Sequence, residues 1–271
     1  MYNWRAVHSS MTLTAVNRTA LITGASSGIG LELAKLFAAD KYNLILVARD
    51  MPALQRVAKE LSAAHSVECT VIALDLSAVG AAEKLAKQLG KQRIDVLVNN
   101  AGFGAAGPFA QADLANAEAM IAVNVTALTA LTRLYLPQMI ARKQGKILNV
   151  ASTAAFLPGP NMAVYYATKS YVLSFSQAIS EETVGSGVTV TALCPGPTQT
   201  GFEKRAKTEH LPAFAKSGLA TSQAVARIGY IGMQCGKRIV VPGTRNKFMT
   251  FMTRFIPRST QARIVKKVQT K

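Results

Sequence analysis

Residues 19–30 constrain this chain most. Thr19–Thr23 is a short apolar run that breaks into Gly24-Ala25-Ser26-Ser27-Gly28-Ile29-Gly30, and a helical stripe comes next at Leu31, Ala34, Leu36, Phe37 and Ala38. Apolar run, glycine turn, helix is the setting that a dinucleotide-binding turn requires. Glycines let the backbone approach a pyrophosphate, and the new helix offers unpaired N–H groups and the positive end of its dipole. Standing alone, such a turn is often no more than a tight connection, so its weight depends on the rest of the chain.

Residues 43–241 are a regular alternation. Apolar strand patterns occupy Asn43–Ala48, Val67–Leu74, Ile94–Val98, Lys146–Val150, Val188–Leu193 and Arg238–Val241. Helical patterns lie between them, at Ser77–Leu89, Asp113–Lys143, around Tyr165 and at Thr221–Gln234. Strands alternating with helices through short connections predict one parallel sheet, about seven-stranded, wound on both faces. Ligands in such sheets sit beyond the carboxyl ends of the strands. The glycine turn, Arg49, Asp75 and Asn100 all fall at such ends. At the end of the second strand an acidic side chain would suit the 2′-hydroxyl of NAD, whereas an arginine suits a 2′-phosphate. Arg49 is the first residue there, which favours NADP(H) over NAD(H); otherwise Arg49 is a solvated turn residue. On that alternative Asp50 is only the N-cap of the helix opened by Pro52.

One pair bears chemistry. Tyr165 and Lys169 are four apart on a helix with no breaker before Gly185, so both project from one side. An ammonium beside a phenol favours the phenolate, and the spacing predicts a lowered tyrosine pKa. A lone Tyr-x-x-x-Lys pair is common on helices, and only its company makes it a candidate.

With 271 residues, 49% apolar and 17% charged, the chain can bury a core and is not disordered. The longest mostly apolar region, Ala119–Ala141, is interrupted by Asn124, Arg133, Pro137 and Gln138, so it reads as a core helix. Residues 1–18 lack the pattern of a secretory signal. Cys69, Cys194 and Cys235 are far apart, without metal-ligand spacing, and suit buried thiols in a reducing cytoplasm. No metal is expected. The net charge of +17 is uneven: residues 203–271 hold 15 Lys/Arg against Glu203 and Glu209, while residues 1–202 hold 16 against 12.

Taken in order, these motifs resemble the short-chain dehydrogenase/reductase family from about Thr19 to Pro242. The residues that carry the resemblance are Thr23-Gly24-x-x-x-Gly28-Ile29-Gly30, Asp75-Leu76, Asn99-Asn100-Ala101-Gly102, Asn124, Ser152, Tyr165-x-x-x-Lys169 and Pro195-Gly196-x-x-x-Thr200. Ser152 lies 13 before Tyr165, and Asn124 lies 28 before Ser152. Thr168 stands where a serine is often found, and Ala151 likewise; neither is expected to touch the chemistry.

The resemblance implies a single doubly wound Rossmann domain over 19–242, with extensions at 1–18 and 243–271. It implies Tyr165 as general acid or base, Ser152 as hydrogen-bond donor to the reacting oxygen, and Lys169 on the nicotinamide ribose. Asn124 would distort its helix and hold a water that feeds protons to Lys169. Cofactor contacts would come from Gly24, Ser26, Ser27, Gly28, Ile29, Gly30, Arg49, Asp75, Leu76, Asn100, Ala101, Gly102, Pro195, Gly196, Thr198 and Thr200, with Tyr165 and Lys169. Asn99 is expected to bridge strands. The substrate would be a carbonyl or secondary alcohol, and the chain a homodimer or homotetramer paired through the helices bearing Asn124 and Tyr165. Phe103, Phe109, Phe156, Leu157, Met162 and Phe202 in the loops favour a lipophilic substrate.

The tail adds a basic amphipathic pattern. Phe248, Met252 and Phe255 share a helical face with Lys247, Arg254 and Arg258 beside it. Such a helix lies on an anionic membrane or packs on its own domain or a sister subunit. The charge also suits an acidic carrier or an acyl thioester. Nucleic acid is the less favoured partner, since no reader motif accompanies the charge. The alternative to an enzyme is a catalytically silent nucleotide-binding protein on the same fold.

Overall fold

The computed structural model describes residues 18–202, 206 and 219–269. The expected N-terminal extension, apart from Arg18, and most of the flap expected between 201 and 218 lie outside the described residues.

Seven strands form one parallel sheet: β1 Thr19–Thr23, β2 Asn43–Ala48, β3 Cys69–Ala73, β4 Val96–Asn99, β5 Gly145–Val150, β6 Val188–Leu193 and β9 Ile239–Val240, in the order β3-β2-β1-β4-β5-β6-β9. A separate two-residue pair joins β7 Thr198–Gln199 to β8 Ala220–Thr221. The central strands β1, β2 and β4 read as nearly continuous apolar runs because both their faces are covered. Successive side chains alternate between two layers. Ala20, Ile22, Leu44, Leu46, Val96 and Val98 enter one core with Leu33 and Phe37 of α1 (Gly28–Ala39) and Leu54 of α2 (Met51–His65). Leu21, Ile45, Val47 and Leu97 enter the other with Leu85 of α3 (Ala81–Leu89) and Leu131, Tyr135 and Met139 of α5 (Leu128–Ala141). Phe37 is fully buried and meets Tyr42 and Tyr230 edge-on at 5.2 and 4.9 Å. Tyr230 belongs to α7, Ser222–Gln234.

The expected third helix starts four residues late. The Asp75 carboxylate accepts from the Ser77 N–H and hydroxyl at 2.9 and 2.7 Å, and Gly80 at φ +71° holds the entry, so Ser77–Gly80 form turns. Helix α4, Leu114–Ile121, runs through a π-helical turn at Ala122–Ala127 into α5. Among the described residues, Leu114–Ala141 is the one helix long and apolar enough to cross a membrane by length and composition. Here it packs Leu128, Leu131, Tyr135 and Met139 inward. Helix α6, Ala163–Glu182, carries the tyrosine–lysine pair. Beyond β9 the chain forms α8, Thr244–Met252, a 3₁₀ turn at Thr253–Phe255, and α9, Arg258–Gln269. All three cysteines are free; Cys194 is buried and Cys69 partly so, but Cys235, just past the end of α7, is exposed.

Sheet order reverses direction between β1 and β4, so the crevice above that point is where a doubly wound sheet binds its ligand.

Candidate active site and cofactor cleft

A cleft of about 600 Å³ opens at the carboxyl ends of the strands, and every sequence-predicted site residue lines it except Gly30 and Asn124. Both exceptions lie just behind its wall. A Cβ on Gly30 would stand 2.2 Å from the Gly24 carbonyl oxygen and 2.4 Å from the Asn100 amide nitrogen, so only glycine fits. Gly28 sits at φ +56°, a left-handed conformation that glycine adopts without strain, and opens α1 toward the cleft. This cradle fits a dinucleotide pyrophosphate.

The wall behind the cradle is tied by hydrogen bonds that spacing did not reveal, apart from the strand bridge expected of Asn99. The Thr23 hydroxyl donates to the Val98 carbonyl at 3.3 Å and accepts from the Asn100 and Ala101 N–H groups at 3.0 Å each. The Asn100 amide donates to the Thr23 and Gly24 carbonyls at 2.9 and 3.0 Å. Asn100 therefore lines the cleft while its amide locks the end of β4 to the glycine turn. Asn99 donates to Asn149 at 2.9 Å and to Thr132 at 3.1 Å, bridging β4 to β5 and α5.

At the end of β2 the two polar residues divide. The Asp50 carboxylate accepts the Ala53 N–H at 2.9 Å and caps α2. Arg49 is exposed on the cleft rim and makes no hydrogen bond or ion pair among the described residues.

Ser152, Tyr165 and Lys169 converge at the other end. The first turn beyond β5 is fixed by the Ala154 N–H donating to the Ser152 hydroxyl at 3.1 Å. Lys169 is buried, donates to the Val150 carbonyl at 2.8 Å, and lies 5.9 Å from the Tyr165 ring centroid. The expected depression of the tyrosine does not prevail in the protein itself. Desolvation pushes the Tyr165 phenol up to about 12, with Ser152 pulling it down by a hydrogen bond and Tyr166 adding to the rise. Burial likewise pushes Lys169 down to about 8, against a smaller opposing effect from Cys194. The phenol is therefore protonated at neutral pH and ready to donate. A phenol that must also accept a proton needs a further positive charge in the cleft.

Asn124 occupies a π turn, the helix distortion expected at this position. Its amide donates to the Phe103 carbonyl at 2.9 Å and to Thr168 at 3.0 Å, and its oxygen accepts the Phe103 N–H at 3.1 Å. A Cβ on Gly102 would stand 3.0 Å from the Asn124 oxygen and 3.2 Å from the Lys169 nitrogen, so Gly102 keeps these two groups within reach of the cleft wall. Thr168, expected to stand apart from the chemistry, holds Asn124.

Apolar side chains complete the lining. Of the loop residues expected to meet substrate, Phe103, Met162 and Phe202 line the cleft; Phe109, Phe156 and Leu157 do not. The Phe202 ring lies 5.2 Å from the Tyr165 ring, an approach for which Gly104 leaves room. Val265 of α9 also lines the cleft, and Asn246 of α8 packs so closely on Gly196 that a Cβ there would stand 2.6 Å from its amide nitrogen. No local pattern pointed to either residue.

Sheet, cradle and the Ser152–Tyr165–Lys169 cluster together define a dinucleotide-dependent oxidoreductase of Rossmann type. Residues 18–210 match the short chain dehydrogenase family model, and the chain belongs to that family. It is 32% identical over 196 residues to very-long-chain 3-oxoacyl-CoA reductase-A of Danio rerio, covering 71% of this chain and 61% of that protein's length. It is 33% identical over 216 residues to the ketoacyl reductase HetN of Nostoc sp. (strain PCC 7120 / SAG 25.82 / UTEX 2576), covering 79% of this chain and 74% of the relative. A short-chain dehydrogenase from Sphingobium yanoikuyae, solved in complex with NADPH, superimposes with a TM-score of 0.79 at 29% identity, covering 89% of this chain and 97% of that one. The chain is thus an NAD(P)-dependent dehydrogenase or reductase.

Proposed function

We propose that this enzyme is an NADP(H)-dependent reductase of ketones on lipophilic substrates, with acyl thioesters as the leading class. The observation that carries the cofactor half is the contrast at the end of β2: Asp50 is committed to its helix cap, while the exposed Arg49 fork faces the cleft rim with no partner among the described residues. An uncommitted guanidinium suits a 2′-phosphate, whereas a free carboxylate would suit a 2′-hydroxyl. The substrate half rests on Phe103, Met162, Phe202 and Val265 in the cleft wall. The names of the two relatives, a 3-oxoacyl-CoA reductase and a ketoacyl reductase, point the same way.

A bound nicotinamide supplies the hydride in reduction and accepts it in oxidation. The chain's own residues handle the oxygen and its proton. Tyr165, protonated at neutral pH, gives its proton to the carbonyl oxygen as negative charge develops there, and Ser152 donates a second hydrogen bond to the same atom. Lys169 and the Asn124–Thr168 pair hold the tyrosine's surroundings. Assembly as a homodimer or homotetramer through α4–α5 and α6 agrees with Ile121, Ile140 and Tyr171 being exposed on those helices.

Fluorescence titration with NADPH and NADH, then turnover assays on 3-ketoacyl thioesters and bulky ketones, tests both halves. NADPH preference with turnover supports the reading. Equal binding of the two cofactors removes the role of Arg49, and no turnover of any carbonyl leaves a silent nucleotide-binding protein.

A further inference from the structure

The tail carries an apolar face that its own domain does not cover. Phe248, Phe251 and Phe255 are spaced three and four apart along α8 and the adjoining turn, so they form one stripe, and they are 65%, 51% and 67% exposed. Met252, expected in that stripe, is instead half-buried. The Phe251 and Phe255 rings meet edge-on at 5.3 Å, and the Arg254 guanidinium lies 5.8 Å from the Phe251 ring centroid. Met249 and Ile264 are exposed nearby in the chain. Residues 243–269 contain Arg245, Lys247, Arg254, Arg258, Arg263, Lys266 and Lys267 and no acidic residue; the last acid in the sequence is Glu209.

We propose that this stripe, with its flanking cations, is the surface by which the enzyme docks on an anionic lipid bilayer. Phenyl rings bury well at the boundary between headgroups and acyl chains, and lysines and arginines beside them meet phosphate at the same depth. A second copy of this surface would set cations against cations. A nucleic acid duplex would find phenyl rings where polar readers of its grooves are needed. The other side of the same two helices faces inward, through Asn246 on Gly196 and Val265 in the cleft. Docking therefore sets the catalytic cleft beside the bilayer, the source of a lipophilic substrate. The surface argument stands whether or not the enzyme reduces thioesters.

The test is co-sedimentation of the full chain with phosphatidylcholine vesicles, with and without phosphatidylglycerol. The wild type is compared with Phe248→Ser/Phe251→Ser/Phe255→Ser and with Arg245→Gln/Arg254→Gln/Arg258→Gln. Circular dichroism melts verify that each variant is folded, and should one fail to fold, tryptic protection of the wild-type tail by vesicles replaces it. We expect at least about tenfold tighter binding to the anionic vesicles, weakened by salt, and a loss of about tenfold or more in each variant. The proposal is overturned by equal binding to both vesicle types or by none. It is also overturned by variants that bind as well as the wild type, by preference for duplex DNA over vesicles, or by a fall in particle mass on removing the three phenylalanines, which would assign the stripe to a second copy.

Discussion

Asn124 donates its amide hydrogen to the Thr168 hydroxyl at 3.0 Å, and that hydroxyl donates to the Tyr165 carbonyl at 2.7 Å. The residue just before the buried lysine thus links the π turn of one helix to the backbone of the tyrosine on another. All of Asn124's described bonds go to Phe103 and Thr168, so loss of the Thr168 hydroxyl leaves one hydrogen of a buried amide without its acceptor.

Thr168→Val keeps the shape and removes the hydroxyl. We expect a loss of stability of about 1–3 kcal/mol and a fall in kcat with KM for NADPH little changed, whereas Thr168→Ser should restore most of both. Thermal melts and steady-state kinetics on the pair read this directly.

Tyr165→Phe should bind NADPH as the wild type does and lose about a hundredfold or more in reduction, the size expected for a positioned general acid. Ser152→Ala should lose a comparable factor as its hydrogen bond to the reacting oxygen goes. Turnover near the wild-type rate in the phenylalanine variant would remove the tyrosine from the chemistry. Because burial holds the phenol protonated to about 12, alcohol oxidation, which needs the phenolate, should speed up as pH rises, while proton donation in reduction should stay level well above neutrality.

Arg49→Asp should exchange preference from NADPH toward NADH. Loss of a charge-assisted contact to the 2′-phosphate and its replacement by repulsion predict weaker NADPH binding by about tenfold or more. Fluorescence titration of both cofactors on both proteins is the measurement; an unchanged ratio would leave Arg49 a solvated turn residue.

Lys169 gives a pH signature in the cofactor-free protein. Its folded pKa, pushed down to about 8, lies below the ordinary lysine value, so the unfolded chain binds more protons between about 8 and 10.5. Stability from this group therefore rises with pH across that window, and its full penalty is present below it. Against a Lys169→Met variant, the wild type should gain up to roughly 3 kcal/mol between pH 7 and 10.5, at about 1.4 kcal/mol per tenfold. Chemical denaturation at the two pH values checks the sign.

The sequence was most informative where the physics is local. The apolar run to Thr23, the glycine turn and the stripe of α1 announced a strand, a cradle and a helix because each depends on neighbouring residues. The alternation of such units foretold the parallel sheet, and the family resemblance that the motifs carry named residues that line the cleft, Gly30 and Asn124 excepted. What spacing missed depends on partners far along the chain. Thr23 meets Asn100, Thr168 meets Asn124, and Asn246 meets Gly196, each across many residues, so that even where the residues were named their pairing was not. The tyrosine pKa departs from expectation for the same reason: the tyrosine–lysine spacing is visible in the sequence, but the desolvation that outweighs it belongs to the assembled site. On α8 the wheel gave the right side but not the right members, since packing half-buried Met252 and left Phe251 outside.

Gly24 and Val265 line one cleft, although one lies near the start of the described chain and the other near its end. On the ribosome the glycine cradle emerges early, and α9 emerges last of the described elements. A nascent chain that has already paired all seven strands still lacks Val265, the one lining residue of the cleft that comes from α9. The cleft therefore acquires the part of its lining that Val265 supplies only once α9 has folded back beside the residues of the first strands.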